Sequence, residues 1–279
     1  GPDENPGTRF LSSTLYDGGP QFSPDGARIA FESNRGGSME IWIAEADGRN
    51  AMPLTTTRGT LAGHARWSPD GSQIAYEARV DGQIEIFTIS ARGGRPVRIT
   101  SDPANDTSPT SSADGTSIYF ASHRDGPSRG YRTAADGTGA PQTVTETVSS
   151  GGYESPDGKY FYFARLGGAS TAGIWRKPLE GGEEVRMTEA AVAWQNLSLA
   201  ANGLYYLPGL RNIESTLYFF DFSTGKTRMV RSLPGAYFFG GFTVSPDRKR
   251  IILTRAERLD ADLVVVDQFV GEGRGGRGR

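Results

Sequence analysis

The chain has no cysteine and only two histidines. The first absence removes disulfides, thiolate metal ligands and cysteine nucleophiles, while leaving the compartment open. The second leaves little material for a histidine-based metal centre or a catalytic triad. No apolar run approaches the roughly 20 residues that a membrane helix needs. The longest runs, such as Leu263-Val264-Val265-Val266, have the length of a strand. No sign of charge dominates either: 30 basic residues face 32 acidic ones, for a net charge of −2. A near-neutral chain has no global field to draw in a polyanion. Membrane insertion and direct nucleic-acid binding by the folded part are therefore not expected. Convincing capped amphipathic helices are missing too, as is a visible signal peptide. The opening Gly1-Pro2, without Met, resembles the remnant of a cleaved tag and points to an excised domain or a mature form.

What is present is repetition. A Ser-Pro-Asp-Gly turn or a degraded copy of it occurs six times: Ser23-Pro24-Asp25-Gly26, Ser68-Pro69-Asp70-Gly71, Ser112-Ala113-Asp114-Gly115, Ser155-Pro156-Asp157-Gly158, Ala200-Ala201-Asn202-Gly203 and Ser245-Pro246-Asp247-Arg248. Successive copies are 45, 44, 43, 45 and 45 residues apart. Such a period marks stacked supersecondary units, not one irregular domain.

Within a unit the pattern predicts four strands. Gln21-Phe22-Ser23 leads into a turn in which proline presets φ, aspartate bonds the local backbone and glycine accepts positive φ. Arg28–Ser33 follows as a second strand, with Ile29 and Phe31 on one face. Glu40–Ala44 is a third strand rich in β-formers. Met52-Pro53-Leu54-Thr55 reads as the fourth, its proline suited to an outer edge. The same order recurs in every unit, so the expected fold is an all-β, six-bladed propeller of four-stranded antiparallel blades. After Val266 no residues remain for a fourth strand of blade six. Residues 8–13 stand in the phase of a fourth strand ahead of blade one and are expected to complete the last blade and close the ring. The expected organisation is residues 1–7 disordered or a tag remnant, 8–269 a single propeller, and 270–279 a disordered Gly/Arg tail.

The run Phe22-Ser23-Pro24-Asp25-Gly26, then Ile29-Ala30-Phe31, Ser33-Asn34-Arg35, Ile41-Trp42, Asp47-Gly48 and Leu54-Thr55, resembles the WD-repeat-like propeller repeats of the TolB family. The resemblance covers about residues 8–269, and it speaks for the fold more than for an activity. Relatives implied by it include the periplasmic TolB translocation protein, propellers of prolyl-oligopeptidase-like enzymes, and C-terminal propellers of bacterial winged-helix regulators. Asp262–Phe269 looks most like the last group. The resemblance implies a bacterial cytoplasmic setting for a regulator domain and a periplasmic one for a TolB-like scaffold.

In a propeller, the turns between strands one and two and between three and four share one face, and here they are short and uniform. The remaining loops share the other face and vary, which is where binding residues concentrate on a rigid scaffold. Basic residues recur where second strands end: Arg35, Arg79, His123 with Arg124, Arg165 and Arg255. A ring of them at the channel mouth would attract an acidic peptide or an anion, whereas the plainer alternative is that strand ends are wet. His64, Asp106, Trp194 and Tyr237 complete the candidate ligand- or partner-binding set; aromatic packing between blades is the alternative for the last two. No catalytic residue and no metal ligand is assigned. Asp102, Asn105 and Asp106, or Asp260 and Asp262, would need carbonyls and waters to complete a calcium shell. Channel calcium is thus the one cofactor left open. Gly126-Pro127-Ser128-Arg129-Gly130 matches a nucleophile-elbow spacing but falls between strands with no helix to follow. The expected function is non-catalytic recognition of a protein, peptide or small ligand by a monomer, at the loop-rich face or channel mouth. The alternative is a propeller enzyme of lactonase, lyase or hydrolase type with a metal-dependent channel site.

Overall fold

The computed structural model describes residues 8–11, 15–57, 61–165, 167–168, 170–190, 192–209, 215–233, 237–257 and 260–267. They form six four-stranded antiparallel sheets. Blade one comprises Asp17–Phe22, Arg28–Ser33, Glu40–Glu45 and Met52–Pro53; blade two comprises Ala62–Trp67, Gln73–Val80, Gln83–Ser90 and Val97–Arg98. Blade three comprises Asp106–Ser111, Ser117–Ser122, Arg129–Ala134 and Gln142–Thr143; blade four comprises Gly152–Glu154, Tyr160–Arg165, Gly173–Pro178 and Val185–Arg186. Blade five runs Leu197–Ala200, Gly203–Tyr206, Ser215–Asp221 and Thr227–Leu233. Blade six joins Tyr237–Val244, Arg250–Glu257 and Asp260–Asp267 to the N-terminal strand Thr8–Leu11. The ring is thus closed as the repeat phase requires, with Thr8 opposite Val265 and Leu11 opposite Leu263. One short 3-10 turn, Trp194–Asn196, precedes blade five.

The repeated turn is held by its own side chains. In the five copies that keep Ser and Asp, the serine hydroxyl donates to the aspartate Oδ1 at 2.5–2.6 Å. The serine Oγ in turn accepts the amide N–H five residues on, as from Arg28 at 2.9 Å. Blade five has lost both residues and instead makes a tighter hairpin, pairing Ala200 with Gly203. The turn glycine also serves its neighbour. Gly26 has φ +69°, and a Cβ there would come within 3.2 Å of the Pro246 ring in blade six. Gly71 stands in the same relation to Pro24 of blade one. The turns therefore interlock around the channel rim.

The core lies between blades. Second strands are buried on both faces, so they read as continuous apolar runs instead of alternating ones. Alternate residues serve opposite neighbours. Ile29 and Phe31 pack with Ile252 of blade six and with Leu11, whereas Ala30 joins Ile41, Ile74 and Tyr76 in the layer toward blade two. At the rim the fourth strands shorten to two residues in blades one to four. There Pro53 needs no ladder N–H.

Candidate binding site in the central channel

Two recurring constructions fix the loop side of blades one to four. Thr55, Thr100, Thr145 and Thr188 end the fourth-strand segments, and each hydroxyl accepts an N–H in the first half of a third strand, at 2.8–3.1 Å. In blades one and two that hydroxyl also donates to a buried carboxylate, Glu40 at 2.5 Å and Glu85 at 2.6 Å. The second construction occupies two of the arginines expected at the channel mouth. The Arg35 guanidinium reaches Asp17 at 2.6 Å and Ser33 Oγ at 3.0 Å, and lies over the Phe31 and Trp42 rings. Arg124 repeats this with Asp106 at 2.8 Å, Ser122 Oγ at 2.9 Å, and the Phe120 and Tyr131 rings. Both arginines thus close their own blade. Burial pushes the Asp106 carboxyl above its ordinary pKa despite Ser122 and Arg124.

The other predicted residues are dispersed. Arg79 is exposed and donates to the Gly82 carbonyl at 3.1 Å. Arg165 lies over the Trp175 ring. Arg255 sits opposite Tyr237 in the register of blade six. His123 is exposed, with no side-chain partner among the described residues. The side chains of Trp194 and Tyr237 lie outside the described residues. Asp102 and Asn105 cap backbone N–H groups of Ala104 and Ile84. Among the described residues no three His, Cys, Asp or Glu side chains are grouped to hold a metal. Ser128, in the elbow-like sequence, donates to the Ser149 carbonyl at 2.7 Å, tying together two loop segments of the propeller.

Among the predicted residues whose side chains are described, His64 alone stands in a polar cluster within the channel. It takes the left-handed conformation, φ +55°, in a bulged first strand. Its Nδ1 lies 2.8 Å from Glu77 Oε1, and its backbone N–H donates to Glu32 Oε1 at 2.6 Å. Glu77 Oε2 accepts the Ser108 N–H at 2.8 Å. Across the channel, Gln195 Nε2 is 3.2 Å from His64 Nε2. The imidazole keeps 25% of its surface exposed and lines a small cavity with Glu32, Gln195 and Gly241. Burial alone would lower its pKa, but the adjacent Glu77 carboxylate, aided by Glu32, offsets this and raises it above 6.5. Burial opposes ionisation of Glu77 as well, yet His64 and the Ser108 N–H hold its pKa below the usual value. The pair sets an imidazole nitrogen against a carboxylate oxygen.

Toward the turn face the channel widens into a cavity of about 410 Å³, walled by first-strand ends of all six blades. Its floor is a girdle at the position two before each turn serine. Gln21 accepts the Trp67 N–H, Thr110 donates to the Gly152 carbonyl, Ser198 accepts the Val244 N–H, and Thr243 accepts the Phe22 N–H. Tyr153 donates to the Leu197 carbonyl, while Arg66 Nε donates across to the Tyr153 hydroxyl at 3.1 Å. Arg66, Glu32, Glu77, Tyr153 and Gln195 were not singled out in the sequence. Superposing the six repeats on their turn serines would have shown Arg66 as the one charge in the girdle.

These features define a class: a closed six-bladed propeller with its polar groups concentrated in the channel. The sequence profile of the TolB beta propeller domain matches residues 56–208, more than half the chain, and the protein belongs to that family. TolB from Acinetobacter baumannii superposes with a TM-score of 0.71 at 22% identity, over 81% of this chain and 57% of that one. The chain thus spans little more than half of that relative. A protein assigned as TolB in Agrobacterium tumefaciens gives 0.69 at 21%, over 92% and 91% of the two chains. An oligogalacturonate lyase solved in complex with manganese gives 0.62 at 13%, over 94% and 89%. At these identities the likeness carries the fold alone.

Proposed function

We propose that the protein is a non-catalytic binding propeller that takes a protein or peptide segment at the loop-bearing mouth of its channel. The carrying observation is apolar surface at a repeated place. Leu15, Leu61 and Val148, 43%, 55% and 40% exposed, precede the first strands of blades one, two and four. Single exposed apolar residues need no explanation. Three shortly ahead of first strands on the loop side, around the mouth that holds the His64–Glu77–Gln195 cluster, suit an interface with an apolar rim and a polar centre. Membership in the TolB propeller family supports protein recognition, and no helix among the described residues is long and apolar enough to cross a membrane. We take residues 8–269 as the folded unit and the monomer as the working form.

Peptides selected by display on the immobilised protein test this reading. They should bind the wild type in solution calorimetry and lose about tenfold or more in affinity to Leu61→Asp with Val148→Asp, a loss of roughly 1.4 kcal/mol or more. The double variant should keep its thermal stability, since both sites are exposed. Equal binding to both proteins would sink the proposal. A second reading rests on the His64–Glu77 pair, because an imidazole oriented by a carboxylate is also how a general base is built. Stoichiometric metal in the purified protein, lost together with hydrolase or lyase turnover on chelation, would favour that reading.

A further inference from the structure

The turn-side cavity lies on the face opposite the proposed partner surface, and two departures from the repeat converge on it. The first is Arg66. At the other five girdle positions a neutral side chain satisfies backbone of the next blade; blade two alone places a buried guanidinium there, lining both the wide cavity and the narrow one above it. The second is Arg248. Blades one to four end their turn with Gly26, Gly71, Gly115 and Gly158, all at positive φ. Blade six holds Arg248 at φ +60°, a conformation that costs a long side chain about 1–2 kcal/mol. Arg248 is half-buried and lines the same cavity; its backbone N–H donates to the Ser245 carbonyl, while its guanidinium makes no hydrogen bond or ion pair among the described residues.

We propose that this cavity is a binding site for a small organic anion: a carboxylate or phosphate head on an apolar body. A volume of about 410 Å³ falls within the range of small-ligand sites. The walls between the arginines include Phe22, Trp67, Leu199, Phe242 and Val244, which suit an apolar body. The acidic residue in the lining, Glu154, already accepts the Tyr119 hydroxyl and the Ala113 N–H. On the loop side, Glu77 is held by His64 and Ser108, and Glu32 by the His64 N–H. The head group meets the charge of Arg66, whose Nε and Nη1 donate to the Tyr153 hydroxyl and the Ala65 carbonyl, where a charge-assisted contact is stronger than a neutral one; Arg248 lines the same cavity. Attraction between ion and guanidinium strengthens as water leaves the cavity.

The probe is anilinonaphthalenesulfonate, an aromatic anion, titrated by fluorescence into protein shown to be folded by circular dichroism. One saturable site per chain is expected, with displacement by benzoate or phenyl phosphate and none by benzylamine at equal concentration. Arg66→Gln should weaken the probe by about tenfold, as loss of a charge-assisted contact does. Arg248→Gly should weaken it by roughly threefold while raising the melting temperature, because glycine accepts positive φ freely. The two effects have opposite signs, so this variant excludes unfolding as the cause. Leu61→Asp should leave probe binding unchanged, which separates this site from the loop-face reading. The proposal is overturned by the lack of a saturable site, by unchanged affinity in Arg248→Gly, or by equal displacement with benzylamine.

Discussion

Replacing Arg124 with methionine keeps an unbranched stem over Phe120 and Tyr131 but removes the guanidinium. Asp106, with a side chain 0% exposed, then loses its charge partner, which was itself only 14% exposed. Removing one member of a buried pair costs about 3–5 kcal/mol; Arg124's residual contact with water argues for about 3. At roughly 2–4 °C per kcal/mol for a chain of this size, the melting temperature should fall by about 6–12 °C. The loss should depend on pH in an unusual direction. The folded pKa of Asp106 is already raised, and losing Arg124 raises it further. A folded state that binds this proton more readily than the unfolded chain gains stability as pH falls through the raised value. Urea denaturation followed by tryptophan fluorescence should therefore show a smaller deficit at about pH 4.5 than at about pH 7. Asp106→Asn combined with Arg124→Met, which removes both charges, should recover most of the loss. A deficit under about 1 kcal/mol at neutral pH, or the same deficit at both pH values, would refute the buried-pair argument.

Two further expectations concern the closure and the channel. Leu11→Ala removes a buried contact to Phe22, Ile29 and Phe31 across the blade six–blade one junction and should cost about 2–3 kcal/mol in denaturant titrations; a change within error would mean the N-terminal strand is not packed there. In proton NMR the His64 ring should titrate above 6.5, so its contribution to stability is full below that value and fades as pH rises through the folded pKa. Glu77→Gln should bring the midpoint down below 6.5, because burial then dominates; an unmoved midpoint would contradict the pairing.

The fold was legible because its punctuation is chemically local. Serine, proline, aspartate and glycine make each turn from within, so their spacing counts blades, and the phase of residues 8–13 gives the closure. The site was less legible for two reasons. Arg35 and Arg124 follow second strands at equivalent places, which reads as a solvated ring until the buried Asp17 and Asp106 are seen to claim them. Those aspartates lie 18 residues upstream, on a different strand. Conversely, Glu32, Glu77 and Arg66 sit within ordinary strand sequence. They converge only because the ring brings equivalent positions of successive blades to one axis. Glu32 and Glu77 occur nine residues after their turn serines, where the later blades carry Ala121, Ala164, Gly209 and Thr254. That asymmetry placed the polar cluster at blades one and two and was available to a repeat-by-repeat comparison.

The pairing of Thr8–Leu11 with Asp260–Asp267 also sets an order of events. During synthesis the inner three strands of blade six emerge after the other five blades, and their outer partner, made ahead of blade one, has by then been waiting for them. Closing so long a loop adds little entropy cost beyond that of a moderate one, but such distant contacts slow folding. Blades one to five can assemble on neighbours already made, while Phe10 and Leu11 stay without their seat. The strand is thus a closing latch: a chain that lacks blade six keeps an open edge and an uncovered apolar end.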